Sequence, residues 1–133
     1  IGVFDLFHVG HVELLRRAKA LGDRLIVAIN GDEMVASYKR RPFLSAQDRL
    51  SVVKACRYVD DAFVIHGYDN KEYIEKYDID IIVHGDDWSG EGYLKQIRVT
   101  PEFLEEHHVT MVYSPYTKGI STSELVEKIK ASK

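Results

Sequence analysis

The chain has 133 residues and a formal net charge of −3. That suits one domain around one core and gives no general affinity for nucleic acid or an anionic bilayer. The single cysteine, Cys56, excludes an intramolecular disulfide and fits a reducing, cytoplasmic compartment.

No apolar run approaches the ~20 residues of a membrane span, so no membrane partner is expected, and no signal peptide is visible. The sequence starts without methionine inside an apolar segment, so upstream residues are expected to be missing. Apolar and polar stretches then alternate in a strand–helix rhythm. Residues 1–4 read as the end of a first strand. Residues 12–21 carry a helical stripe of Leu14, Leu15, Ala18 and Leu21 that stops at Gly22. Residues 25–29 form a continuous apolar run, the pattern of a strand buried on both faces. Ser45 and Asp48 open another helix with Leu50, Val53 and Cys56 inward. Cys56 is thereby a buried structural thiol rather than a nucleophile.

Residues 62–65 read as a third strand, 71–77 as a helix, and 79–83 as a fourth strand ending at His84-Gly85. Residues 86–99 are the longest irregular stretch, either a lid or a surface loop. Thr100-Pro101 starts a helix that ends near His107. Residues 109–113 are a fifth strand, and Ser121 with Glu124 opens a final helix through Ile129. The alternation predicts an α/β fold with a mostly parallel sheet, right-handed crossovers and one domain over residues 1–133.

Parallel α/β sheets bind ligands outside the carboxyl ends of their strands. The first strand delivers Asp5, His8, Gly10 and His11 there. The second delivers Asn30, Gly31 and Asp32, and the fourth Gly85, Asp86, Asp87 and Trp88. The fifth delivers Thr117, Lys118, Gly119, Ser121 and Thr122. Within His8-Val9-Gly10-His11, Gly10 permits close approach of backbone to a ligand. His8 and His11 lie about one helical turn apart and can share a face, where imidazole donors stabilise charge on phosphate oxygens. Helix capping or core packing is the plain alternative. A metal site of Asp5 with both histidines lacks the further ligand zinc prefers, so no metal ligands are assigned.

Ser121 with Glu124 is an ordinary capping box, and its helix N-terminus with two hydroxyls is also an anion site. Lys39-Arg40-Arg41, followed by Arg49, reads either as a solvated face or as a basic segment folded over the rim. Arg57 either favours a helix C-terminus or clamps a substrate phosphate. Asp87-Trp88 can seat a nucleotide, although a lone tryptophan often only packs. His66, His84, His107 and His108 are given no role.

The H-x-G-H turn, Arg57-Tyr58-Val59-Asp60, Gly85-Asp86-Asp87-Trp88 and Gly119-Ile120-Ser121-Thr122-Ser123 stand here in the order found in cytidylyltransferases. The chain resembles that family over nearly its whole length. The Gly-Asp-Asp-Trp stretch is most similar to the glycerol-3-phosphate group. The resemblance implies a Rossmann-like fold and transfer of CMP from CTP to sn-glycerol 3-phosphate, giving CDP-glycerol and pyrophosphate. It implies that His8 and His11 act on the CTP phosphates, with Lys39 and Arg57 as further catalytic or acceptor-binding groups. Gly2, Val3, Phe4, Asp5 and Gly10 would line the nucleotide site, and Asp87 and Trp88 would lie near the cytidine. Gly119, Ile120, Ser121 and Thr122 would hold the triphosphate. It also implies Mg²⁺ bound with the CTP phosphates, and a homodimer.

One departure stands out. The family's last motif usually begins with arginine, where this chain has Tyr116. Lys118, two positions on, is then the nearest cation and a candidate acceptor contact. Two rival readings share the site: a transferase for another nucleotide or acceptor, and a nucleotide-binding module without catalysis.

Overall fold

The computed structural model describes residues 1–37, 40–85, 91–115 and 117–132. Two parallel strand pairs frame it. β1 (Ile26–Asn30) pairs with β2 (Asp61–Ile65), with Ile26 opposite Asp61 and Asn30 opposite Ile65. β3 (Ile81–Gly85) pairs with β4 (Thr110–Ser114), with Ile81 opposite Thr110. The expected first strand is reduced to one bridge. Gly2 donates to Ala28 O and accepts from Asn30 N, both at 2.9 Å, and forms a parallel bridge with Ile29. The reason is local: Phe4 and Leu6 have φ of 56° and 49°, so the chain leaves extended space just after Val3.

The helices fill the intervals. They are α1 (Val9–Ala20), α2 (Asp32–Ala36), α3 (Ala46–Ala55), α4 (Lys71–Lys76), α5 (Glu91–Gln96), α6 (Pro101–Glu106) and α7 (Thr122–Ala131). Side-chain oxygens set three starts, each cap worth about 1 kcal/mol. Ser45 accepts from Asp48 N, Thr100 from Phe103 N, and Ser121 from Glu124 N, all at 3.1 Å. α5 lies in the stretch expected to be irregular. Gly92, near its start, hides it from a propensity reading. α2 was not expected either; it is a five-residue helix without a side-chain cap.

The core has two main parts. Leu15, Val27, Ile29, Val53 and Ala62 pack with Phe4 around β1 and β2. Ile74, Ile82, Tyr93, Leu94, Ile97 and Leu104 pack around β3 and β4. Ile1 packs against the second part and against a smaller cluster of Ala28, Met34 and Ile65, and a cleft of about 570 Å³ lies between β1 and β3. Cys56 is partly buried against the first cluster, in line with a packing role. No helix among the described residues is long and apolar enough to cross a membrane.

Candidate active site

The site begins with how α1 starts. His8 is its N-cap, and its Nδ1 accepts from Gly10 N at 3.0 Å. His11 Nδ1 accepts in turn from His8 N, also at 3.0 Å. The two imidazoles thus form a reciprocal capping box of the kind usually built from serine and glutamate. Both rings use Nδ1 as acceptor, so each carries its proton on Nε2 and keeps one N–H to donate. Gly10 is required here: a Cβ would sit 2.8 Å from His8 Cε1.

His11 is packed among rings. Phe4, Phe7 and His8 have centroids at 5.5, 5.3 and 3.9 Å from it. This burial, with the nearby His8, lowers the His11 pKa to about 4, against a smaller opposing effect of Asp5. Burial also lowers His8. Both rings are therefore neutral Nε2–H donors near pH 7.

Asp5 ties this turn to the segment before α3. Its buried carboxylate accepts from Phe43 N at 2.8 Å and Leu44 N at 3.1 Å, and pairs with Arg40 at 3.2 Å. Burial pushes the carboxyl up, but the two amides and the guanidinium prevail and hold it below the usual carboxylate range. Asp5 O accepts from Thr122 Oγ1 at 2.9 Å. That bond brings the start of α7 against the histidine turn.

The result is a cavity of about 670 Å³ at the carboxyl ends of the strands. Gly2, Val3, Phe4, Asp5, His11, Arg40, Thr122 and Ser123 line one part of it, and Asn30, His84, Gly85 and Tyr93 another. Ser121 caps the adjoining helix, Ile120 approaches Gly10, and Gly119 takes φ +82° in the turn before them.

Other expected residues fall elsewhere. Arg57 is not among the cavity-lining residues; its guanidinium bonds Tyr58 Oη at 3.2 Å. α3 starts at the rim and runs away from it, so Arg57 emerges near the amino end of β2. There Asp60 binds Lys19 at 2.6 Å and Leu25 N at 2.7 Å. Since the 12-residue α1 is about 18 Å long, Lys19 lies well away from His8. Arg49 is not a rim residue: it has no solvent contact. Lys118 is exposed and does not line the cavity. Lys39, Asp87, Trp88 and Tyr116 lie outside the described residues. Arg40, read as part of the basic segment that could fold over the rim, lines the cavity, whereas His84 was missed as a site residue. His84 stacks on Tyr93 at 3.9 Å, and its place at the end of an apolar strand was the available signal.

A cytidylyltransferase-like family model matches residues 1–128. The chain belongs to the cytidylyltransferase-like family. It is 38% identical to the glycerol-3-phosphate cytidylyltransferase of Bacillus subtilis over 129 residues, covering 96% of this chain and 92% of that one. It is 43% identical to the FAD synthase of Thermococcus kodakarensis over 88 residues, covering 65% of this chain and 59% of that one. Among solved structures it is similar to a lipopolysaccharide core biosynthesis protein from Thermoplasma volcanium. The TM-score is 0.73 at 28% identity, covering 87% of this chain and 93% of that one. This cytidylyltransferase-like chain therefore has the Rossmann-like nucleotidyltransferase fold that its family resemblance implied, built on the parallel α/β pattern that its strand–helix order predicted.

Proposed function

We propose that this chain transfers CMP from CTP to sn-glycerol 3-phosphate, releasing pyrophosphate and CDP-glycerol. The observation that carries the reading is the 2.9 Å bond from Thr122 to Asp5, which sets a capped helix start against the turn of two neutral imidazoles, with His11 and Thr122 lining one cavity. Likeness to glycerol-3-phosphate cytidylyltransferases over nearly the full length supports the choice of substrates.

An oxygen of the acceptor phosphate attacks the α-phosphorus of CTP in line, forming one P–O bond. The bond from that phosphorus to the bridging oxygen breaks, and pyrophosphate leaves with the electron pair. The acceptor is already an anion, so no covalent enzyme intermediate and no strong base are needed. The protein supplies position and charge stabilisation. The Nε2–H groups of His8 and His11 donate to phosphate oxygens. The N–H groups that open α7 hold the triphosphate, and Arg40 is the cation at the cavity wall. Lys39, Asp87 and Trp88 belong to this reading as phosphate and cytidine contacts. Arg57 does so only as a group supplied from outside this cavity.

Mg²⁺, where bound, would offset the charge of the triphosphate. Asp5 lines the cavity with both carboxylate oxygens engaged, and no group of three His, Cys, Asp or Glu residues among the described residues could cage a metal. The residues present thus fit an ion carried on the phosphates rather than one held by the protein. The reading also includes a homodimer acting in the cytoplasm, and sedimentation at micromolar concentration tests the assembly.

The test of function is pyrophosphate release with CTP and ATP across a panel of phosphorylated acceptors. CTP with sn-glycerol 3-phosphate is expected to be fastest. The FAD synthase likeness makes ATP with FMN the specific rival, and preference for that pair would replace the reading.

A further inference from the structure

The side chain of Arg49 is wholly buried, yet every bond it makes runs toward the site. Nη1 donates to Val3 O and to Asn30 O, each at 2.8 Å. Nε donates to Leu44 O at 3.0 Å, and Nη2 pairs with Asp32 Oδ1 at 2.7 Å. Burying a guanidinium is unfavourable unless its donors are satisfied, and here three carbonyls and one carboxylate meet four of its five N–H groups. Those acceptors belong to three separate segments. Val3 enters the histidine turn, Asn30 ends β1 and Asp32 opens α2 just after it, and Leu44 ends the stretch that carries Arg40.

Asp5 grips that last stretch from the other side, through the amides of Phe43 and Leu44. Leu44 is therefore held by its N–H to Asp5 and by its carbonyl to Arg49. Arg40 lies four residues upstream, with its own side chain 41% exposed at the cavity. We propose that Arg49 is a positioning residue. It touches no substrate, but it fixes the segment bearing Arg40 against the histidine turn so that Arg40 meets a substrate phosphate. This rests on the reading of Arg40 as a phosphate cation.

Lysine at position 49 keeps a charge but loses the planar fork that reaches four acceptors. With whichever nucleotide and acceptor the wild type uses, Arg49→Lys is expected to lower kcat/KM roughly 10²-fold, the scale of an ångström-level misplacement. Arg40→Ala is also expected to lower it. The double variant should fall within about 3-fold of the worse single one, because both changes remove one contact. Losses that multiply, or an Arg49→Lys variant with wild-type kcat/KM, would overturn the proposal. If Arg49→Lys does not fold, Asp32→Asn, which strips the guanidinium of its carboxylate, takes its place with the same two outcomes.

Amide exchange reads the claim without any substrate. Arg49→Lys is expected to speed exchange at Phe43 and Leu44 about tenfold or more, leaving β3 and β4 unchanged. Unchanged exchange at Phe43 and Leu44 would overturn the proposal even if no tested pair were turned over. A wild type inactive on every pair, with the expected exchange, would count against the assigned reaction instead.

Discussion

Thr122 Oγ1 donates to Asp5 O at 2.9 Å, joining residues 117 positions apart. Asp5 sits between two residues of positive φ, Phe4 and Leu6, a turn that ordinary side chains adopt only when the surroundings enforce it. The enforcing contacts are the ones that make the site: Asp5 carboxylate to Phe43 and Leu44, Asp5 carbonyl to Thr122. Replacing Thr122 by valine keeps the branched shape and removes the donor. Thr122→Val is expected to cost about 0.5–1.5 kcal/mol in urea unfolding and to raise the KM for CTP.

His11→Ala removes both a phosphate donor and the ring that caps His8 N. Turnover should fall by roughly 10²-fold or more, the scale for a lost transition-state donor. Near-wild-type kcat in steady-state assays would take His11 out of the reaction.

Gly10→Ala tests the cap geometry. Its Cβ would stand 2.8 Å from His8 Cε1 and 3.0 Å from His8 Nδ1, so the ring must leave the Gly10 amide. Activity should drop at least about tenfold, in keeping with misplacement of a catalytic group. Helix content by circular dichroism should barely change.

The lowered His11 pKa has a consequence for stability. In the folded protein His11 titrates at about 4 instead of its ordinary 6.5. Between those values the unfolded chain binds more protons than the folded one, so stability rises with pH. The contribution is present above pH 6.5 and is lost as pH falls through 4. A chemical denaturation series from pH 7 to pH 4 should show the decline, and the His11 Cε1–H resonance should titrate near 4. A His11 midpoint at 6.5 would remove this explanation.

Much of this was legible from the residues. Ser45, Thr100 and Ser121 announced three helices because small oxygen-bearing side chains cap in a recognisable way. The strands at 26–30, 61–65, 81–85 and 110–114 showed as apolar runs, with edges displaced by one or two residues. α1 begins three residues before the apolar stripe read at 12–21; helix capping by His8 and His11 was the plain alternative in the sequence, and the geometry shows that they do cap. The bridging role of Gly2 and the turn at Phe4 depend on tertiary contacts with Ala28, Asn30 and Arg49, which no local pattern encodes. Arg49 was misread, and Arg57 stands outside this cavity, for a related reason. A basic residue in sequence does not declare which end of its helix faces the rim, or whether its charge is spent on buried carbonyls.

The central claim is that the histidine turn and the start of α7 close around one triphosphate. A crystal structure with CTP bound tests it most directly. The phosphates should lie within ~3 Å of His11 Nε2 and of the main-chain N–H groups that open α7. A triphosphate bound away from both, with Thr122 still on Asp5, would contradict it.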